Sequence, residues 1–277
     1  MPTESKLVEH EPVGFEAREL DLEGTRVRYI AGGDGPPLVL VHGLGGAASN
    51  WRLIAPALAA QRRVIVPELP GHGGSGPLGP GEPDTGLSLD RLAEVVLTVL
   101  EHERALPAVW IGHSLGGVVG LRAAAQRPDA VTGIVLAAAA GISSATRTGE
   151  LAVTWIGRLR PERLVTPHRR RVARSRWGRT LAFGWWGVAD PAGFDAAMAE
   201  AFLSGAARHT DTRSAGRALI RFDPRDDLDR VGCPCLCLWG SSDNWVPLTD
   251  GMDYARRLRA PLRVIADCGH LALVGHS

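Results

Sequence analysis

Three observations predict an α/β fold with a mostly parallel central sheet, helices on both faces and an inserted helical lid. Short apolar runs alternate with stretches of helical spacing along most of the 277 residues, the pattern of a sheet wrapped by crossover helices. One junction, Ala108-Val-Trp-Ile111 followed by Gly112-His113-Ser114-Leu115-Gly116 and a helix-compatible stretch from Gly117 to Gln126, sets a serine on a sharp strand-to-helix turn. Between residues 142 and 222 the alternation stops, tryptophans appear and arginines crowd in. The core is therefore expected over residues 1–141 and 223–277, and the lid over 142–222.

Arg18–Leu22 and Thr25–Ile30 alternate polar and apolar residues on either side of Glu23-Gly24, a hairpin signal. Pro37-Leu-Val-Leu-Val41 is continuously apolar and ends at His42-Gly43, as expected of a strand buried on both faces. Asn50–Gln61 has helical spacing, and Arg63-Val-Ile-Val-Pro67 is the next strand, followed by the turn-rich Pro70-Gly-His-Gly-Gly-Ser75. Ser88–Ala105 reads as an amphipathic helix, with Ser88 as its cap and Leu89, Leu92, Val96 and Leu100 near one face. The Ser114 unit comes next, then a strand over Ala130–Leu136. Beyond the lid the rhythm returns as a strand at Pro234–Trp239, a helix at Asp250–Leu258 and a last strand at Pro261–Ile265.

Composition excludes several classes. Hydrophobic residues make up 45% and charged residues 22%, ordinary for a globular chain. A formal net charge of +1 gives no global field for nucleic acid. No apolar run approaches the ~20 residues that span a bilayer. Met1–Glu16 lacks the apolar stretch of a signal peptide, so a cytoplasmic location is expected. Cys233, Cys235 and Cys237 alternate and would share one face of a strand, which splays thiols in a row rather than around a tetrahedron. With Cys268 they read as free thiols in a reducing compartment, and no metal or other cofactor is expected.

The Gly112–Gly116 segment carries the chemistry. Its glycines leave room for close strand–helix approach, and the turn aims a helix N-terminus, with free N–H groups, at a developing negative charge. The competing reading is a tight glycine-rich βα turn without chemistry. A nucleophilic serine needs a base, and the base an orienting acid. Gly269-His270 follows the last strand, and Gly240-Ser-Ser-Asp243 follows the strand before it. His276 also follows a glycine, but as the penultimate residue it is expected to fray. Asp243 could instead cap the helix behind it, whereas Asp250 lies too far into that helix to replace it. His42 and His113 read as hydrogen bonders beside the reacting groups, and His72 as structural.

These motifs resemble those of the α/β-hydrolase superfamily, in its lidded single-domain branch of esterases, lactonases, cofactor-free haloperoxidases and C–C bond hydrolases. The resemblance covers nearly the whole chain. His42-Gly43-Leu44-Gly45-Gly46 is similar to the family's oxyanion loop, Glu68-Leu-Pro-Gly-His-Gly-Gly-Ser75 to its D-x-P-G-x-G-x-S loop, and Gly240-Ser-Ser-Asp243-Asn-Trp-Val-Pro247 to its acid loop. It implies that Ser114, Asp243 and His270 are catalytic, in the order Ser…Asp…His, and that the N–H groups of Leu44 and Leu115 hold an oxyanion. Two features depart from the family pattern. Glu68 stands where aspartate is usual, and the chain stops seven residues after His270, where members continue into a closing helix. One sheet face is accordingly expected to be less covered and the His270 loop less restrained.

Between Arg147 and Arg179 the lid carries ten arginines against Glu150 and Glu162. They form either a basic mouth for an anionic substrate or partner, or a solvated helical face. Trp155, Trp185 and Trp186, with His42 and His113, are candidate substrate-binding residues; the tryptophans could equally anchor lid helices. The expected partner is a small molecule with an apolar acyl group, and the expected function is hydrolysis of an ester, thioester or lactone through an acyl-enzyme. The alternatives are C–C bond hydrolysis of a vinylogous diketone, acyl transfer, or a poorly catalytic binding relative. Ser49-Asn50-Trp51 favours the first alternative, and Leu271, where those enzymes carry tryptophan, disfavours it.

Overall fold

The computed structural model describes residues 11–78, 87–143, 166–184 and 187–271. Trp155, Trp185, Trp186 and His276 lie outside them. Eight strands form one sheet in the order β1-β2-β4-β3-β5-β6-β7-β8. The hairpin β1 (Phe15–Leu22) and β2 (Thr25–Gly32) opens it, and β2 runs antiparallel to β4 (Arg63–Pro67). From β4 through β3 (Pro37–Val41), β5 (Ala108–His113), β6 (Val131–Ala137), β7 (Cys235–Gly240) and β8 (Leu262–Ile265) every pairing is parallel. The uninterrupted apolar runs are explained by burial on both faces. Leu38, Leu40, Val64 and Val66 pack with Trp51 and Ala55 on one side, while Val39, Val41 and Ile65 join the larger core on the other. That larger core holds α2 (Leu89–His102) and α3 (Leu115–Gln126), and Tyr254 of the later helix Leu248–Leu258.

The expected elements are present, with boundary differences that have local causes. Asn50–Gln61 is not one helix but a 3₁₀ turn at Ala48–Trp51 and a short α1 at Ala55–Ala59. Pro56 sits in the first turn of α1, and in a continuous helix its ring would clash with the carbonyl of residue 52. Ser88 caps α2 by accepting from Arg91 N at 3.2 Å, but the helix stops at His102, just ahead of Arg104 at φ 52°. Cys233 precedes β7, so only Cys235 and Cys237 alternate within the strand; Pro234, just ahead of its first residue, has no N–H for the ladder. All four cysteines are free, and burial pushes the Cys237 thiol up to about 12. The edge strand β8 is partly open, with Val264 48% exposed.

The insert contributes α4 (Arg169–Arg174), α5 (Arg176–Phe183), α6 (Ala196–Ala206) and α7 (Thr212–Ile220). Its own small core gathers Phe183, Val188, Phe194 and Met198, and takes in Leu271 from the loop beyond β8. Helix α8 (Leu248–Leu258) follows β7. β3 is flanked by β4 on one side and β5 on the other, so the chain reverses its direction of travel across the sheet there. The crevice at the carboxyl ends of β3 and β5 is where open α/β sheets bind ligands. No helix among the described residues is long and apolar enough to cross a membrane.

Candidate active site

Ser114 occupies the turn between β5 and α3 with φ 51° and ψ −116°, a conformation L residues avoid and that persists only where the surroundings enforce it. The glycines supply the enforcement. A β-carbon on Gly112 would lie 2.3 Å from the Gly116 carbonyl oxygen, and one on Gly116 would lie 2.1 Å from that of Val41. Trp110 Nε1 donates to the Gly116 carbonyl at 2.9 Å, and Ser114 N donates to Ala137 O at 3.0 Å. Leu115 is the first residue of α3, so its N–H has no acceptor within the helix. Ser114 itself is 5% exposed.

The loops after β7 and β8 meet this turn. His270 is 3% exposed, and its Nδ1 lies 2.9 Å from Asp243 Oδ2. Asp243 Oδ1 accepts from the N–H groups of Trp245 (2.9 Å) and Val246 (2.8 Å), so one carboxylate both shapes the acid loop and holds the imidazole. Asp250 is engaged elsewhere, accepting from Ser143 N at 2.8 Å; burial raises its pKa. The His270 loop is held from three directions. Leu271 N donates to Gly187 O of the insert (2.8 Å), Ser242 N donates to Cys268 O (2.9 Å), and His113 Nε2 lies 2.9 Å from the His270 carbonyl. Burial lowers the His113 pKa to about 3, so its ring is neutral and its Nε2–H is the donor in that last bond. The two rings stand 4.8 Å apart.

The loop after β3 completes the crevice. Gly46 N donates to Gly43 O at 3.0 Å, and Gly45 has φ +71°, closing a tight turn with Leu44 at its second position. A β-carbon on Gly43 would stand 3.0 Å from that of Ser114, so the turn abuts the serine. His42 is fully buried behind it. Its Nε2 accepts from Leu69 N at 3.0 Å, so Nδ1 carries the hydrogen and donates to Gly43 O at 2.8 Å. With two donors on the Gly43 carbonyl, planarity of the Gly43–Leu44 peptide turns the Leu44 N–H the opposite way. That N–H has no acceptor among the described residues.

A polar cluster beneath these loops was not anticipated from sequence. Glu68 is fully buried. It accepts from Ala48 N (3.1 Å) and Gly74 N (2.6 Å), and pairs with Arg208 (3.2 Å) and Arg28 (3.3 Å). Burial opposes ionisation, but the two guanidinium groups and two N–H donors outweigh it and hold the pKa below the usual carboxylate range. Beside it the rings of His42, His72 and His209 pack in a row, with centroids 5.1 and 5.3 Å apart. In sequence only Glu68, His42 and His72 point to this cluster; its partners Arg208 and His209 lie in a stretch without motif. Of the remaining candidates, Arg170, Arg171, Arg174 and Arg176 are exposed. Arg179 is buried and donates to Ala173 O at 2.8 Å. No group of His, Cys, Asp and Glu among the described residues is arranged to hold a metal ion.

A strained serine at a helix N-terminus, an imidazole held by a buried carboxylate and two unengaged N–H groups can together carry out nucleophilic acyl chemistry. Residues 36–277 match the family described as alpha/beta hydrolase fold. The chain belongs to that family. The hydrolase is 30% identical over 264 residues to 2-hydroxymuconate semialdehyde hydrolase of Pseudomonas sp. (strain CF600), covering 94% of this chain and 89% of that one. It is 34% identical over 243 residues to a pimeloyl-[acyl-carrier protein] methyl ester esterase of Edwardsiella ictaluri (strain 93-146), covering 86% and 83%. A 131-residue match of 43% identity joins 46% of this hydrolase to the dihydrolipoyllysine-residue acetyltransferase component of the acetoin cleaving system of Pseudomonas putida, of which it spans 34%.

Proposed function

We propose that this α/β-fold hydrolase cleaves a small ester, thioester or lactone through an acyl-enzyme. The observation that carries the reading is the buried His270 Nδ1–Asp243 Oδ2 contact of 2.9 Å, at the rim where Ser114 stands on its strained turn. Asp243 fixes the imidazole tautomer with hydrogen on Nδ1, which leaves Nε2 basic. The Ser114 hydroxyl adds to the substrate carbonyl as Nε2 takes its proton. The oxyanion is received by the N–H groups of Leu44 and Leu115, donors of a kind worth about 3–4 kcal/mol each. Collapse expels the alcohol, thiol or ring oxygen, which takes the proton from Nε2. Water, deprotonated by the same nitrogen, then releases the acid and restores Ser114. A helical lid over the crevice favours a small apolar acyl group over a polymer.

C–C bond hydrolysis of a vinylogous diketone is the second reading, supported by the likeness to the semialdehyde hydrolase along 94% of the chain. The first test is reaction with an organophosphonate, read by intact mass. One adduct on Ser114 is expected, and none on Ser114→Ala. Hydrolysis of p-nitrophenyl acetate should fall at least about a thousandfold in the same variant. An unlabelled wild-type protein, or equal rates for both proteins, would sink the acyl-enzyme. Decay of a ring-fission dienoate absorbance without ester turnover would favour the second reading.

A further inference from the structure

The turn that presents Leu44 is braced from two sides. His42 holds the Gly43 carbonyl from the sheet, as described above. The second brace comes from the insert. His209, just beyond α6, accepts from Gly73 N at its Nδ1 (2.9 Å), which places its hydrogen on Nε2; Nε2 donates to Gly45 O at 2.8 Å. Gly45 is the positive-φ residue of the same turn. The flanking chain is fixed as firmly. Thr210 N and Asp211 N both donate to Gly71 O (3.0 and 3.1 Å), and Arg208 reaches the buried Glu68 (3.2 Å). Glu68 in turn accepts from Ala48 N, on the far side of the turn (3.1 Å).

We propose that His209 is a positioning residue: by donating to Gly45 O it lets the helical insert set the direction of the Leu44 N–H, and so tune the oxyanion site. The inference rests on the acyl-enzyme reading above. A misdirected donor weakens the transition state more than the ground state, so the effect falls on kcat. His72 links the two braces, its ring lying between those of His42 and His209; its Nδ1 donates to Pro70 O at 3.0 Å, and its Nε2 has no partner among the described residues.

The test compares His209→Phe, which keeps ring volume without hydrogen bonds, with His209→Gln, whose amide nitrogen can reach Gly45 O. Steady-state hydrolysis of p-nitrophenyl acetate and phosphonate labelling of Ser114 are the readouts. Phe is expected to lower kcat about 10- to 100-fold, change KM less than about threefold, and slow labelling in parallel; Gln should recover kcat to within about fivefold of wild type. Wild-type kcat in Phe, equal loss in Phe and Gln, or a loss confined to KM would each overturn the role. If Phe does not fold, His209→Asn replaces it. Asn can still accept from Gly73 N but falls short of Gly45, so kcat should fall in Asn and not in Gln; equal kcat overturns the proposal. Ser114→Ala separates the two claims. If it is inactive while His209→Phe is unaffected, only the positioning role fails; if it keeps wild-type activity, the acyl-enzyme fails first.

Discussion

The crevice rim and the helical insert are held by different means. At the rim the backbone does the work: glycines bring β5, α3 and the β3 loop into contact, and neutral buried histidines bond to carbonyls. In the insert, side chains do it: Phe183, Phe194 and Phe202 meet edge to face, and Arg179 donates to carbonyls rather than to acids. Backbone constraints leave a signature in the sequence, because only glycine meets them. Side-chain constraints of this kind do not, since many apolar residues would pack similarly.

The largest effect expected from this contrast is at Gly116. Alanine there places a methyl carbon 2.1 Å from the Val41 carbonyl oxygen, and a backbone atom of a central strand cannot yield. Gly116→Ala should lose at least about 3 kcal/mol of stability, measured by urea unfolding. Gly133→Ala is the matched control, because its added carbon meets nothing nearer than Pro234 O at 3.5 Å. Similar losses at both glycines would break the contrast, making glycines in helix and strand alike generally intolerant rather than the rim specifically crowded.

What could be read from sequence follows the same line. The inner strands β3 and β4 are legible as apolar runs because both sheet faces are covered there, whereas the β1–β2 hairpin is legible by its alternation. The candidates Ser114, Asp243 and His270 stand out in sequence because each lies in a loop or turn that follows a strand, beside glycines or small turn residues, and the fold brings the ends of β5, β7 and β8 to one rim. Leu44 is a candidate through the resemblance of its loop alone, and the reason its N–H has no acceptor among the described residues, the two donors on Gly43 O, needs His42 in three dimensions. The helical spacing of Asn50–Gln61 does not reveal the break, which Pro56 imposes in the first turn of α1. His209 had no local pattern. Its role depends on Gly45 and Gly73, more than 130 positions away, and only the topology brings them together.

Acid should sharpen the comparison, with an intermediate effect. Burial lowers the pKa of His113 to about 3 and of His209 to about 4. Unfolded, both titrate near 6.5, so below that pH the unfolded chain binds more protons than the folded one. Their contribution is complete above pH 6.5 and is lost as pH falls toward each folded value, at up to about 1.4 kcal/mol per unit per group. Glu68, with its pKa below the usual carboxylate range, adds a loss at still lower pH. Urea unfolding at pH 7.5 and 5.0 should therefore show a marked drop for wild type. In His209→Gln the drop should be smaller by about 2 kcal/mol, since one titrating group is gone. An equal drop would mean that the insert's brace opens to solvent before the rim does.

The smallest effect is expected where the insert meets solvent. Trp177 is 80% exposed on α5 and Leu181, one turn on, is 81% exposed, whereas Phe183 on the same helix is 2% exposed and packs against Phe194. A surface aromatic contributes little to folding because its rim of contact is already wet. Trp177→Ser should change stability by no more than about 0.5 kcal/mol. Phe183→Ala, by contrast, should cost about 3 kcal/mol or more through the cavity it leaves. Hydrogen exchange would place that loss in α4 to α6 and in the segment around Leu271, which shares the cluster, rather than in β3 or β5. Protection lost uniformly across sheet and insert would show the two regions unfolding as one cooperative unit, so that side-chain packing in the insert and backbone packing at the rim report a single stability.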